Sequence, residues 1–118
     1  MKEAEILRYC LRYLKAKGYY FGRVNTGGIK RGNVWCRNPY TLKGIPDIVG
    51  AVNIDNYGGI ISTKHMPLGR GITQMFGIEC KSSVGKQSGE QIEFQRWFEA
   101  SGGLYVIVRT PEDIEKVL

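Results

Sequence analysis

A chain of 118 residues with 42% hydrophobic content can bury one modest core and no more, so a single domain over 1–118 is expected. Its net charge of +6 favours a polyanionic partner. Three cysteines without any C-x-x-C spacing, Cys10, Cys36 and Cys80, and a lone His65 argue against a disulfide framework and a zinc knuckle. No apolar run approaches the ~18 residues of a membrane span, and Met1-Lys2-Glu3-Ala4-Glu5 opens a helix rather than a secretory leader; a cytosolic protein without a membrane partner is expected.

In chain order, Ile6, Leu7, Cys10, Leu11 and Leu14 recur at the 3-and-4 spacing of an amphipathic helix over 2–17, which Gly18 ends. Glu3 extends the inward stripe by one turn, whereas Glu5 points towards Arg8 and Arg12. A first-turn carboxylate that complements the helix dipole is the simpler account of Glu3. Residues 19–25, rich in Tyr, Phe and Val, predict a first strand, and 26–32, with three glycines, predict a turn. Arg23, Lys30, Arg31 and Arg37 could hold a nucleic-acid backbone there, or be merely solvated. Residues 33–36 read as a short return strand, and Pro39 to Pro46 as irregular chain.

Ile48-Val49-Gly50-Ala51-Val52 has the apolar run of a central strand, with Asp47 at its mouth. Asn53 to Thr73 carries mainly loop signals and reads as a long hairpin, an arm or a loop for dimer or substrate contact. His65, within it, reads as a solvated loop residue. Met75 to Ser82 predicts the next strand. Ser88-Gly89-Glu90-Gln91 has the form of a capping box opening a helix over 89–101, and capping alone accounts for Gln91. Gly102-Gly103 stops that helix. Leu104–Val108 predicts a last strand, and Pro111 a short final helix with proline at its first position.

Charge is unevenly spread. Residues 1–86 carry 14 Lys or Arg against 5 Asp or Glu, a balance of +9, and residues 87–118 carry 3 against 6, a balance of −3. Three of the five acids in the basic part, Glu3, Asp47 and Glu79, fall at element mouths or on core faces. Alternation puts Glu79 and Lys81 on one strand face and Ile78 and Cys80 on the other. A carboxylate and an ammonium on a core strand need pairing or a bound ion. An exposed ion pair worth at most ~1 kcal/mol is one account; a divalent metal site is the other. Asp47 and Glu79 would supply carboxylate oxygens to Mg²⁺ or Mn²⁺, with the Cys80 carbonyl as a further ligand, and Lys81 would orient the attacking water and neutralise a phosphate.

Pro46-Asp47 followed by Glu79-Cys80-Lys81 resembles the PD-(D/E)XK motif of the restriction-endonuclease-like nuclease superfamily. More narrowly, Glu3 with Ile6, Gly44-Ile45-Pro46-Asp47, Ile78-Glu79-Cys80-Lys81, and Ser88-Gly89-Glu90-Gln91 followed by Gly102 resemble the VRR-NUC family of virus-type replication and repair nucleases, over nearly the whole chain. The long Asn53–Thr73 segment departs from the short hairpin of that pattern. The resemblance implies an α/β fold with an αβββαβ core, its mixed central sheet flanked by helices, in one nuclease domain. It implies catalytic roles for Glu3, Asp47, Glu79, Lys81 and Gln91, with Glu3 holding a metal-bound water or second cation and Gln91 positioning the site. The activity implied is that of an Mg²⁺- or Mn²⁺-dependent endodeoxyribonuclease, a homodimer that resolves Holliday junctions in DNA repair, in a bacterial cytosol or encoded by a phage. A flap or single-strand nuclease and a non-catalytic basic DNA-binding module are the alternatives.

Overall fold

The computed structural model describes residues 1–24, 29–36, 42–55, 57–61 and 71–118. The expected turn at 26–28, Pro39, His65 and the middle of the 53–73 segment lie outside them. In chain order the elements are α1 (Glu3–Lys17), β1 (Tyr20–Arg23), β2 (Ile29–Arg31), β3 (Val34–Cys36), β4 (Ile48–Ile54), β5 (Ile60–Ile61), β6 (Ile72–Cys80), α2 (Gly89–Ala100), β7 (Leu104–Val108) and α3 (Pro111–Glu115).

The architecture is α/β, built on a mixed, open central sheet of order β1-β4-β6-β7, with β5 on the far end of β4. β1 and β6 flank β4 antiparallel, with Arg23 opposite Ile48 and Ile48 opposite Ile78. β7 runs parallel to β6, Gly77 opposite Tyr105 and Glu79 opposite Ile107, and α2 supplies the crossover that a parallel pair requires.

Strand alternation divides the sheet into two unlike faces. Phe76, Ile78, Cys80, Ile48, Val52, Val106 and Val108 form one buried cluster with Ile6, Cys10 and Leu14 of α1 and with Ile114 and Leu118. The 3-and-4 stripe of α1 therefore covers this face as its spacing predicts. Gly18, left-handed at φ 75°, ends the helix, and the Gly18 and Tyr19 amides donate to Lys15 O and Leu14 O in the pattern of a Schellman motif. Tyr9 donates to Glu115 Oε1 and Tyr19 to the Leu118 carbonyl, tying α1 to the C-terminal end of the chain. The other face carries α2, which has no fully buried residue. Phe98 packs towards Gly77 and Gly103, and Phe94 lies 6.3 Å from Tyr105, ring to ring. This face holds the polar site.

Two sequence expectations are corrected. Ile29–Arg31, expected within a turn, is a strand paired with Val34–Cys36. Among the described residues the turn is Gly32-Asn33, where Gly32 has φ 62°, the left-handed value that tight two-residue hairpins require. The Asn53–Thr73 segment also holds more regular structure than its loop composition suggests, because β4 continues through Ile54, paired with Ile72. Asp55 then organises a tight return: its Oδ1 accepts the Tyr57 and Gly59 amides, each at 2.8 Å, and β5 pairs back onto Asn53 and Ile54.

Candidate active site

The site forms at the end of the sheet where β4 begins and β6 ends. Asp47 immediately precedes β4, and its Oδ2 accepts the Cys80 amide at 2.8 Å. The β4–β6 ladder stops at Ile48–Ile78, so the Asp47 carboxylate takes the Cys80 N–H in place of a strand partner. Pro46 folds over Gly77, where a Cβ would lie 2.8 Å from the proline ring. The absence of a side chain at Gly77 thus leaves room for the Pro46 ring where the chain turns into β4 against β6.

Glu79 sits in the both-sides-buried stretch of β6 and is 2% exposed. Its oxygens are held from three directions. Oε1 accepts Gln91 Nε2 at 3.0 Å and faces Lys81 Nζ at 3.9 Å, while Oε2 accepts the Tyr105 hydroxyl at 3.4 Å. Glu79 and Lys81 share a face as period-2 alternation requires, but the exposed-pair account fails, since both side chains are largely buried. The pair belongs to a desolvated polar cluster, where removing one partner costs far more than on a surface.

Gln91 does two things at once. Its Oε1 accepts the Ser88 amide at 2.9 Å, its own amide donates to Ser88 Oγ at 3.2 Å, and its Nε2 reaches Glu79. Either Gln or Glu can close a capping box, but only the amide can also donate to a carboxylate. Capping alone therefore does not account for the glutamine. Gly44 fixes the approach of α2 to the Asp47 strand: at φ 72° it lies so close that a Cβ would stand 2.2 Å from Glu90 O and 2.6 Å from Gln91 N.

Glu3, exposed in the first turn of α1, lines a cleft of about 80 Å³ with Ala4, Leu7, Asp47 and Cys80. Asp47 is thus shared between two groupings: the cleft with Glu3 and Cys80 on the α1 side, and the cluster with Glu79, Lys81 and Gln91 on the α2 side. Behind the cleft the Cys10 and Cys80 thiols are buried and hydrogen-bonded to each other. That bond and burial push the Cys80 thiol upward, as suits an inert core residue, while the same bond draws the Cys10 thiol downward against its burial. Two residues missed in the sequence complete the cluster: Tyr105, and Gln87, whose Nε2 donates to Tyr105 Oη at 3.4 Å and to Gln95 Oε1 at 3.0 Å. A hydroxyl-tipped ring in an otherwise aliphatic strand was the available signal for Tyr105. Arg109 braces the loop after Lys81, its Nη1 donating to Ser82 O at 2.6 Å and Gly85 O at 2.7 Å.

Burial, and after it the negative charge of Asp47 within hydrogen-bonding reach, push the Glu79 carboxyl up to about 8; Lys81 and Tyr105 pull the other way without prevailing. Burial and the Glu79 carboxyl raise Tyr105 to about 12, against the Gln87 donor. Glu79 therefore favours folding when protonated. Its contribution is fully present below about 4.5 and is lost as pH rises through about 8. In EDTA, the melting temperature of the wild type should fall relative to Glu79→Gln between about pH 5 and pH 8.5. A difference constant across that range would show that Glu79 is already ionised in the folded protein.

Among the described residues no group of three or more His, Cys, Asp or Glu side chains is gathered to hold a metal; the side-chain donors at the sheet end are the two carboxylates of Asp47 and Glu79. No helix among the described residues is long and apolar enough to cross a membrane. In comparison with known proteins, no family model, no curated protein and no solved structure matches the chain.

Proposed function

We propose that the protein is a metal-dependent, structure-selective DNA endonuclease with a restriction-endonuclease-like core of the VRR-NUC kind, acting in the cytosol as a homodimer on four-way junctions. The observation that carries this reading is the juxtaposition of Asp47 and Glu79. They are 32 positions apart in the chain (79 minus 47), yet lie against each other at a sheet end with Lys81 on the same strand face as Glu79. The order of the elements forming the central sheet and its crossover, α1, β1, β4, β6, α2 and β7, is in keeping with an αβββαβ core.

The donor set fits a hard divalent cation. Mg²⁺ and Mn²⁺ sites of this kind use one or two carboxylates and complete their shell with waters, so two acids suffice. Asp47 and Glu79 lie within hydrogen-bonding reach of each other, and the Tyr105 contact to Glu79 Oε2 is long, at 3.4 Å. Two like charges held together also raise each other's cost of ionisation, a cost that a bound cation would offset. When bound, the cation supplies a nucleophilic water at neutral pH and relief of phosphate charge.

The chain's own residues do the rest. Asp47, anchored by the Cys80 amide, lines the cleft. Gln91 and Tyr105 hold the Glu79 carboxyl in one orientation. Lys81 places an ammonium beside Glu79, where it orients the attacking water and stabilises the charge developing on the phosphate. Glu3 lines the same cleft as Asp47 and would be the carboxylate that holds water there.

The test is incubation with Mg²⁺ or Mn²⁺ and a labelled panel of four-way junction, flap, single-stranded and linear duplex DNA. The expected result is paired, symmetric cuts in the junction and none in EDTA. Cutting of flaps or single strands instead would retain the metal site and discard the junction. A protein that stays monomeric on DNA would refute the paired cut. Tight binding without cleavage of any substrate would leave a basic DNA-binding module.

A further inference from the structure

Val24 and Asp47 bracket, in the sequence, the stretch that holds β2 and β3. They meet at the sheet end that holds the candidate site, where the Val24 amide donates to the Asp47 carbonyl at 2.8 Å. Among the described residues, β2 and β3 pair with each other and form a sheet separate from the central one. Their turn stands clear: Gly32 and Asn33 are exposed, and a Cβ at Gly32 would meet nothing within 4 Å. In register, Lys30 is opposite Trp35 and Arg31 opposite Val34. Residues 24–43 contain Lys30, Arg31, Arg37 and Lys43 and no Asp or Glu.

From this placement we infer that the β2–β3 ribbon is a groove-binding arm for duplex DNA, which sets affinity next to the cutting site without taking part in the chemistry. A two-stranded ribbon is one of the two elements that the major groove admits. Strands of three residues rise roughly 10 Å, comparable to the groove's depth of roughly 8.5 Å. Lys and Arg on such a ribbon neutralise backbone phosphates. Arg23, exposed at the end of β1, and Lys43, exposed just before Gly44, add two basic residues at the described positions that flank the ribbon in the sequence. The inference rests on the nuclease reading, but binding in the absence of metal tests it separately.

The experiment is fluorescence anisotropy of labelled duplex and single-stranded DNA in EDTA over a range of salt. It compares the wild type, Lys30→Glu with Arg31→Glu, Lys30→Ala with Arg31→Ala, the conservative Lys30→Arg with Arg31→Lys, and Lys116→Ala, each with a melting curve to show that it folds. Charge reversal should weaken duplex binding by about 10-fold or more, and the alanine pair should lower the salt slope by about 2, as loss of two phosphate contacts predicts. The conservative pair should bind as the wild type does, and Lys116→Ala, an exposed basic residue at the end of α3, should keep both affinity and slope. Unchanged duplex affinity in the reversal variant overturns the inference, as does an equal loss on single strands, which would mark a single-strand contact. Dissociation of a dimer by either pair would also overturn it, making the ribbon a clasp between copies. A wild type that cleaves nothing, with the ribbon effect intact, defeats the nuclease reading and leaves the arm standing.

Discussion

Asp47→Asn should reduce metal-dependent cleavage by about a thousandfold or more, while junction binding stays within about tenfold of wild type. The asparagine amide keeps the size of the carboxylate but removes the charge that a hard cation requires. Asp47 is also the residue shared by the cleft and the buried cluster, so no other carboxylate can take over its position. Lys81→Ala should abolish cleavage too, for a different reason: it deletes the ammonium beside Glu79 and leaves the two acids in place. Single-turnover cleavage at saturating DNA, with binding measured separately, separates the two losses from simple weakening of the complex. Full activity in either variant would refute the site assignment. In the same assay Glu3→Gln should impair activity far more than Glu5→Gln, since Glu3 lines the cleft and Glu5 does not.

Gly44→Ala should destabilise the fold by about 2 to 4 kcal/mol, the sum of a left-handed backbone penalty and overpacking, and lower the melting temperature by roughly 10 °C or more. The colliding atoms, Glu90 O and C and Gln91 N, are backbone atoms of α2, so no side chain can rotate out of the way. Either the loop entering β4 or the start of α2 must move. Both carry the site, so the contact from Gln91 to Glu79 should loosen and cleavage should fall with stability. Gly58→Ala is the matched control. It has φ 81° but nothing within 4 Å of its Cβ, and so should cost only about 1 to 2 kcal/mol, the backbone penalty alone. Equal melting temperatures for the two variants would show that the approach of α2 to Gly44 is not close in solution.

Tyr105 shows where reading along the chain stops. Its strand is legible from four consecutive β-formers, Tyr105 to Val108, but its contact with Glu79 depends on β7 lying parallel beside β6, a pairing between segments 28 positions apart (105 minus 77). Glu3 shows the opposite case. Helical spacing identifies it as the inward acid of the first turn, and the structure does set it at the cleft beside Asp47, although exposed.

The sequence by itself determined the features that depend on near neighbours. The apolar stripe of α1 and its glycine end, the shared face of Glu79 and Lys81, the Ser88–Gln91 box and the proline start of α3 all follow from backbone periods and local hydrogen bonds that act within a few residues. The β2 strand escaped because three glycines within seven residues outweigh a pairing of three residues on each side. Only the tertiary structure decided what happens where distant segments meet: the Asp47 carboxylate on the Cys80 amide, the second hydrogen bond of Gln91, the burial that raises Glu79, and the Val24 amide on the Asp47 carbonyl. Those depend on the desolvation and distance set by packing, and neither is a property of any one segment.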